Sequence, residues 1–279
     1  MYMSRLLHVR RNGKGPTIVL LHGAAGSGAF WEPIVPILSQ KFEVVRLDLL
    51  GYGYSPKPII NYSVQEHVSS IRNTLAHEGI SEPFAVIGLS MGALLWLNYS
   101  IQYPGVSKFV GIGLPYYSDK SQAKNLITQD RWARSVINHR VLGEAWMGVL
   151  WGLGRHSKAI RRRVAPSFYS DTMTKESLMN PPHALRSSIV NCMLNNFAPE
   201  LLRQSNYKDI LLIHGSNDQW SPVEAIQPLV AKYSNVSVQV LNGVAHNTAL
   251  IAPERTADCI MDFLTTESKP TKTHNMAAK

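Results

Sequence analysis

The stretch VIGLSMGALLWLNY, residues 86 to 99, runs an apolar segment into a serine set between two glycines and then into a helix-like apolar stretch. A run of Val, Ile and Leu with no polar alternation reads as a strand covered on both faces. The turn after it must be sharp, and Gly88 and Gly92, two residues before and after Ser90, keep side chains out of the strand and helix it joins. Such a turn lifts a hydroxyl clear of the sheet and aims backbone N–H groups at the atom it attacks. A GxSxG pattern alone is weak, because Gly and Ser fill ordinary turns. The strand before it and the helix after it give the pattern its weight.

Working outward, strand-like and helix-like segments alternate from residue 17 to 113: TIVLLHG, SGAFWEPIVPILSQ, FEVVRLDL, residues 63 to 78, FAVIGLS, residues 91 to 103 and FVGIGLP. This alternation predicts an α/β fold with a mostly parallel, doubly wound sheet. The pattern breaks near Pro115 and returns at DILLIHGSND, residues 209 to 218. A helix over 222 to 233, the strand VSVQVLNG and a closing amphipathic helix APERTADCIMDFLTTE follow. Between the two blocks the chain has helical periodicity and no convincing strand. The expected organisation is a core of residues 1–115 and 206–268, a helical cap of residues 116–205 and a disordered tail of residues 269–279.

Composition narrows the function classes. With 279 residues, 45% hydrophobic and 17% charged, the chain can bury a large core. Its two cysteines, Cys192 and Cys259, lie far apart without metal-ligand spacing, so neither a disulfide framework nor a zinc site is suggested. The N-terminus lacks a sustained apolar h-region and no window reaches the ~18 apolar residues of a membrane span. A soluble cytoplasmic protein without an integral membrane segment is the expectation; the sequence does not give an oligomeric state. The net charge of +9 raises the question of nucleic acid. Much of that charge sits in RHSKAIRRR (155 to 163) and in the tail, and no finger, RNP or helix-turn-helix signature accompanies it. A solvated helix face is expected there, with an anionic surface or anionic substrate as the alternative.

A serine hydroxyl needs a base to take its proton, and the base needs an acid to set its tautomer. Asp218 follows the strand DILLIHG, and His246 follows the next strand. Taken alone, Asp218 would read as a turn or N-cap residue and His246 as a loop histidine. Their joint position at consecutive strand ends, after the serine, points to catalysis by Ser90, Asp218 and His246. Among rivals, His22 shapes its loop, His67 and His77 are expected on a surface helix, and His139, His156 and His183 fall in the insertion. Asp119 is the rival acid, ranked below Asp218. An oxyanion would need two donors, each costing about 2.7–4 kcal/mol when removed. The N–H of Met91 is one; Ala24, in the small-residue loop HGAAGSG, is the other. That loop lacks the Lys-Ser/Thr of a phosphate-binding loop and is not a dinucleotide fingerprint. No cofactor and no metal are expected.

Together LLHGAAGSGAFW, RLDLLGYGYSPKP, VIGLSMG, LLIHGSND and GVAHN resemble the α/β-hydrolase fold superfamily over nearly the whole chain. The resemblance implies the triad and oxyanion hole just named, a helical cap inserted after the sixth strand, and structural roles for Asp48 and Gly51. Ser90 stands where dehalogenating and epoxide-opening relatives carry aspartate. Asn247 stands where carbon–carbon hydrolases usually have Trp, and the Lys that hydroxynitrile lyases tend to place beside the histidine is absent.

The insertion concentrates Trp132, Trp146, Met147, Trp151, Met193 and Phe197. Such side chains either pack the cap on itself or line an apolar acyl or alcohol pocket, with Trp146, Met147 and Trp151 as the candidate substrate contacts. The expected function is cleavage of small to medium apolar carboxylic esters by a serine hydrolase. Lactone, thioester or carbon–carbon bond cleavage, or a ligand receptor with vestigial turnover, would use the same residues.

Overall fold

The computed structural model describes residues 5–117, 119–129, 134, 140–164, 169–266 and 274–276. Its apolar runs form one sheet in the order β1-β3-β2-β4-β5-β6-β7-β8. These are β1 Val9–Asn12, β2 Thr17–Leu21, β3 Glu43–Leu47, β4 Ala85–Leu89, β5 Lys108–Ile112, β6 Asp209–Gly215, β7 Val236–Leu241 and β8 His274–Met276. Only β1 runs antiparallel, against β3; every other pair is parallel. Alternate residues of the central strands feed two separate apolar layers, which is why their sequences show continuous hydrophobicity.

On one face Val19, Leu21, Val45, Leu47, Val86 and Phe109 pack with α1 (Val64–His77) and α2 (Met91–Gln102). On the other, Ile18, Leu20, Val44, Ile87, Val110 and Ile112 pack against the 3₁₀ turn Gly28–Trp31 and the closing helix, Pro253–Thr265. Between β5 and β6 the described chain is helical: α3 Lys120–Ile127, α4 Arg140–His156, α5 Lys158–Val164, α6 Asp171–Ser177, α7 Pro182–Ile189 with a π turn over Val190–Leu194, and α8 Ala198–Gln204. Trp151, Leu178, Ala184 and Met193 from this insertion join the first apolar layer. The closing helix, Pro253–Thr265, is α9.

Four expectations are corrected. Among the described residues the insertion leaves the sheet after its fifth strand in chain order, where the sixth was expected, because β1 alone precedes β2 there. Residues 222–233 form two short helices, Val223–Ile226 and Leu229–Lys232, because Pro228 offers no N–H and starts a new turn. His67 is fully buried rather than on a surface face, because it shares the inward stripe of α1 with Val68, Ile71 and Leu75. In the tail, His274–Met276 pairs with Gln239–Leu241, since the edge of β7 leaves backbone groups that an extended segment can satisfy. Among the described residues no helix is long and apolar enough to cross a membrane.

Candidate active site

The carboxyl ends of parallel strands form the crevice in which this architecture places ligands, and Ser90 stands there at the end of β4. Its φ of 52° and ψ of −116° lie outside the regions a serine normally adopts. Close approach on both sides explains the flanking glycines. A Cβ on Gly88 would lie 2.5 Å from Ala93 N, and one on Gly92 would lie 2.5 Å from Leu21 O. The backbone is therefore held by contacts that no larger residue would allow. Ser90 N donates to Ile112 O at 2.8 Å, which ties the turn to the end of β5.

One residue further along the chain, Gly113 faces the other side of the site. A Cβ there would sit 2.8 Å from His246 Cε1 and 2.9 Å from Nδ1. Residues 112 and 113 thus touch Ser90 with one and the imidazole of His246 with the other. The geometry brings the two sequence-predicted residues to neighbouring strand ends although 156 positions separate them.

Asp218 and His246 are in direct contact, His246 Nδ1 to Asp218 Oδ2 at 2.8 Å. The carboxylate is 4% exposed, and its other oxygen accepts from Trp220 N and Ser221 N, each at 2.9 Å. Asp218 therefore does both jobs considered from the sequence, with one oxygen closing the turn and the other holding the histidine. Burial pushes its pKa up, but His246, His214 and the Ser221 N–H outweigh that and leave it below the usual carboxylate range. An ionised carboxylate only accepts, so Nδ1 of His246 carries the hydrogen, and in the neutral ring the lone pair is on Nε2. Nε2 is buried and has no hydrogen-bond partner among the described residues.

Trp220 stacks on the imidazole, with ring centroids 5.5 Å apart and planes at 26°. Tyr117 Oη donates to Trp220 O at 2.8 Å, which fixes that residue in turn. No periodic signal along the chain marks either role; only the adjacency of Trp220 to Asp218 could have suggested one. His214, fully buried, lies with Nδ1 4.0 Å from Asp218 Oδ2, beyond hydrogen-bond length. Burial holds its pKa down at about 4, so it is neutral beside the carboxylate.

The loop after β2 approaches from the other side. A Cβ on Gly23 would lie 3.3 Å from Ser90 Cβ, so the candidate donor Ala24 is on a segment in contact with the Ser90 turn. The next residue, Ala25, holds a φ of 63°, unusual for a residue with a side chain. His22 braces the loop from below, with Nδ1 2.7 Å from Gly23 O and Nε2 2.9 Å from Leu49 N. A carbonyl accepts and an amide donates, so the ring is the neutral Nδ1–H tautomer, and burial keeps its pKa at about 4. Asp48 is fully buried, accepting from Gly28 N and from Tyr54 N at 2.8 Å, and so holds two loops together.

The remaining candidates fall outside this constellation. Asp119 is an exposed N-cap of α3 that accepts from Gln122 N at 2.9 Å. His77 and His156 are exposed. Trp151 is buried in the apolar layer shared by cap and core. The side chains of Trp146 and Met147 lie outside the described residues, as do Trp132 and His139. In the basic stretch, Lys158 and Arg162 are exposed on α5. Among the described residues no three of His, Cys, Asp and Glu cluster as a metal site would need.

Known proteins share this architecture. A family model described as alpha/beta hydrolase fold matches residues 16–253. A stretch of 90 residues, 32% of the chain, is 36% identical to 34% of "Putative carbamate hydrolase RutD" of Escherichia coli O81 (strain ED1a). The chain thus spans about a third of the length of the curated relatives it matches. Among solved structures, E-2-(acetamidomethylene)succinate hydrolase superposes with a TM-score of 0.73 at 19% identity, over 93% of this chain and 95% of that one. A thermophilic esterase from Thermogutta terrifontis does so with a TM-score of 0.73 at 18% identity, over 92% of each chain. At these identities the two structures speak for the fold alone.

Proposed function

The chain belongs to the alpha/beta hydrolase fold family, and from that premise we propose that it is a serine hydrolase acting on small to medium, apolar carboxylic esters. The observation that carries the reading is the Asp218–His246 hydrogen bond of 2.8 Å, with the far nitrogen of the ring buried and without a hydrogen-bond partner among the described residues, and with the ring lying against Gly113, next to the Ile112 that accepts from Ser90 N. That nitrogen is the general base. It takes the Ser90 proton as Oγ attacks the carbonyl carbon, then returns it to the departing alcohol. The resulting acyl-enzyme is opened by a water that His246 deprotonates in the same way, releasing the acid and restoring Ser90.

Asp218, already ionised, stabilises the imidazolium that forms between the two transfers without taking its proton. The negative oxygen of each tetrahedral intermediate is held by the N–H groups of Met91 and Ala24. The apolar character of the substrate is inferred from the apolar layer that contains Trp151 and Met193 and against which Ala24 and Trp220 pack. The reading calls for no cofactor.

A fluorophosphonate probe tests it whatever the natural substrate is. Labelling should map to the peptide bearing Ser90, and Ser90→Ala should abolish both labelling and turnover of p-nitrophenyl esters. Labelling elsewhere, or ester turnover that survives Ser90→Ala, would refute it. One stoichiometric turnover without recycling would indicate a receptor instead of an enzyme.

A further inference from the structure

The loop from Gly23 to Gly28 carries a conformation that its own residues do not favour. Ala25 sits in the left-handed region, and such a residue persists only where the surroundings over-determine it. Local ties account for part of this: His22 Nδ1 donates to Gly23 O, and Gly26 N donates to Gly23 O at 3.2 Å. Asp48 and Arg46 of the core hold its far end at Gly28, and two further ties come from the cap, about 150 residues away in sequence.

Asn180, in the turn between α6 and α7, is fully buried. Its Nδ2 donates to Gly26 O at 3.2 Å, and its Oδ1 accepts from Gly53 N at 2.9 Å. A carbonyl on one side and an amide on the other leave the carboxamide no alternative orientation. The carboxamide meets this fork with its donor and its acceptor on separate atoms, which the single oxygen of Ser or Thr does not provide. Beside it Glu176, 3% exposed on α6, accepts from Ser27 Oγ at 2.5 Å and from Arg10 Nη2 at 2.7 Å. The cap therefore grips the loop at two consecutive residues, Gly26 and Ser27, two and three positions after Ala24.

We propose that Asn180, aided by Glu176, is a positioning residue for the oxyanion hole: a cap side chain that fixes where the Ala24 N–H points. The inference rests on the oxyanion role of Ala24 in the reading above. Because the hole acts on charge that develops only in the transition state, a misplaced donor lowers kcat and leaves ground-state binding intact. Loss of a mere packing contact at the cap would instead disturb KM or the thermal midpoint.

The test is steady-state hydrolysis of p-nitrophenyl acetate by the full chain, with near-ultraviolet circular dichroism to establish folding. Asn180→Ala should lower kcat by about 10- to 100-fold while KM stays within about twofold. Inhibition by a trifluoromethyl ketone, whose adduct bears the same oxyanion, should weaken in step with kcat. Should Asn180→Ala fail to fold, Ser27→Ala, which releases the Glu176 tie together with the Ser27 cap on Ala29 N and leaves Asn180 in place, decides: about a threefold or greater loss in kcat at constant KM supports the proposal, and unchanged kcat overturns it. A folded Asn180→Ala protein with wild-type kcat overturns it directly, even where Ser90→Ala confirms the nucleophile. Wild-type protein with no Ser90-dependent turnover would overturn the functional reading first and this inference with it.

Discussion

The two halves of the candidate site are held by different means. At the Ser90 turn, geometry comes from the backbone: Gly88 and Gly92 admit Ala93 N and Leu21 O within 2.5 Å of where a Cβ would stand, and no polar side chain is needed to shape the turn. At the His246 side, geometry comes from distant side chains: Asp218 bonds one ring nitrogen, Trp220 stacks on the face, and Gly113 leaves room at the edge. The Ser90 turn is thus a steric construction of backbone against backbone, while the imidazole is held by side chains. The first should tolerate almost no change in volume, whereas the second should fail by degrees as individual supports are removed.

That difference can be probed in order of expected effect. Asp218→Asn should be the most damaging, lowering kcat by about 10⁴-fold, because an amide can present a donor to Nδ1 and turn the imidazole to the wrong tautomer. Pre-steady-state acylation with a nitrophenyl ester measures this; a loss under about tenfold would mean that the carboxylate does not control the ring. Gly113→Ala should cost about 100-fold in kcat, since the added methyl would lie 2.8 Å from His246 Cε1 at a φ of +53°. Unchanged kcat there would show that the base side also yields to crowding without harm.

Acidification loads both halves at once. His22 under the Gly23–Gly28 loop and His214 beside Asp218 are held neutral by burial, each at about 4, while the unfolded chain protonates them near 6.5. Between these values the unfolded state binds more protons, so stability falls as pH drops from 6.5 towards 4 and is recovered above 6.5. Each histidine should contribute on the order of 1–2 kcal/mol of this loss at about pH 5. Urea unfolding at about pH 7 and about pH 5 measures it, and equal midpoints would contradict the burial of these rings. The smallest effect is expected for Trp220→Leu. It removes the stacking surface but keeps the Trp220 backbone N–H to Asp218, and should lower kcat by about fivefold to tenfold. A loss as large as that of Asp218→Asn would mean the ring orients the base outright.

Reading the chain without coordinates recovers elements whose signal is continuous. The five apolar residues of β4, all buried, could hardly be anything but a central strand. By contrast β1, VRRN, is short, polar and at an edge, and carries no hydrophobic pattern to betray it. His67 was legible in principle, because its spacing from Ile71 and Leu75 puts it on the inward face of α1. Asn180 was not, since neither of its partners, Gly26 O and Gly53 N, is a side chain and neither is near it in sequence.

The alternating core, the serine on a glycine-flanked turn, and the carboxylate and imidazole at later strand ends were all written along the chain. They follow from periodicity and from residue types whose constraints act within a few positions. The pairing of Asp218 with His246 in one tautomer, the stacking of Trp220, and the hold of the cap on the loop that carries Ala24 came from the fold alone. Hydrogen bonds and ring contacts act over a few ångströms regardless of how much chain lies between. No pattern along the chain encodes them until folding brings strand ends and cap together.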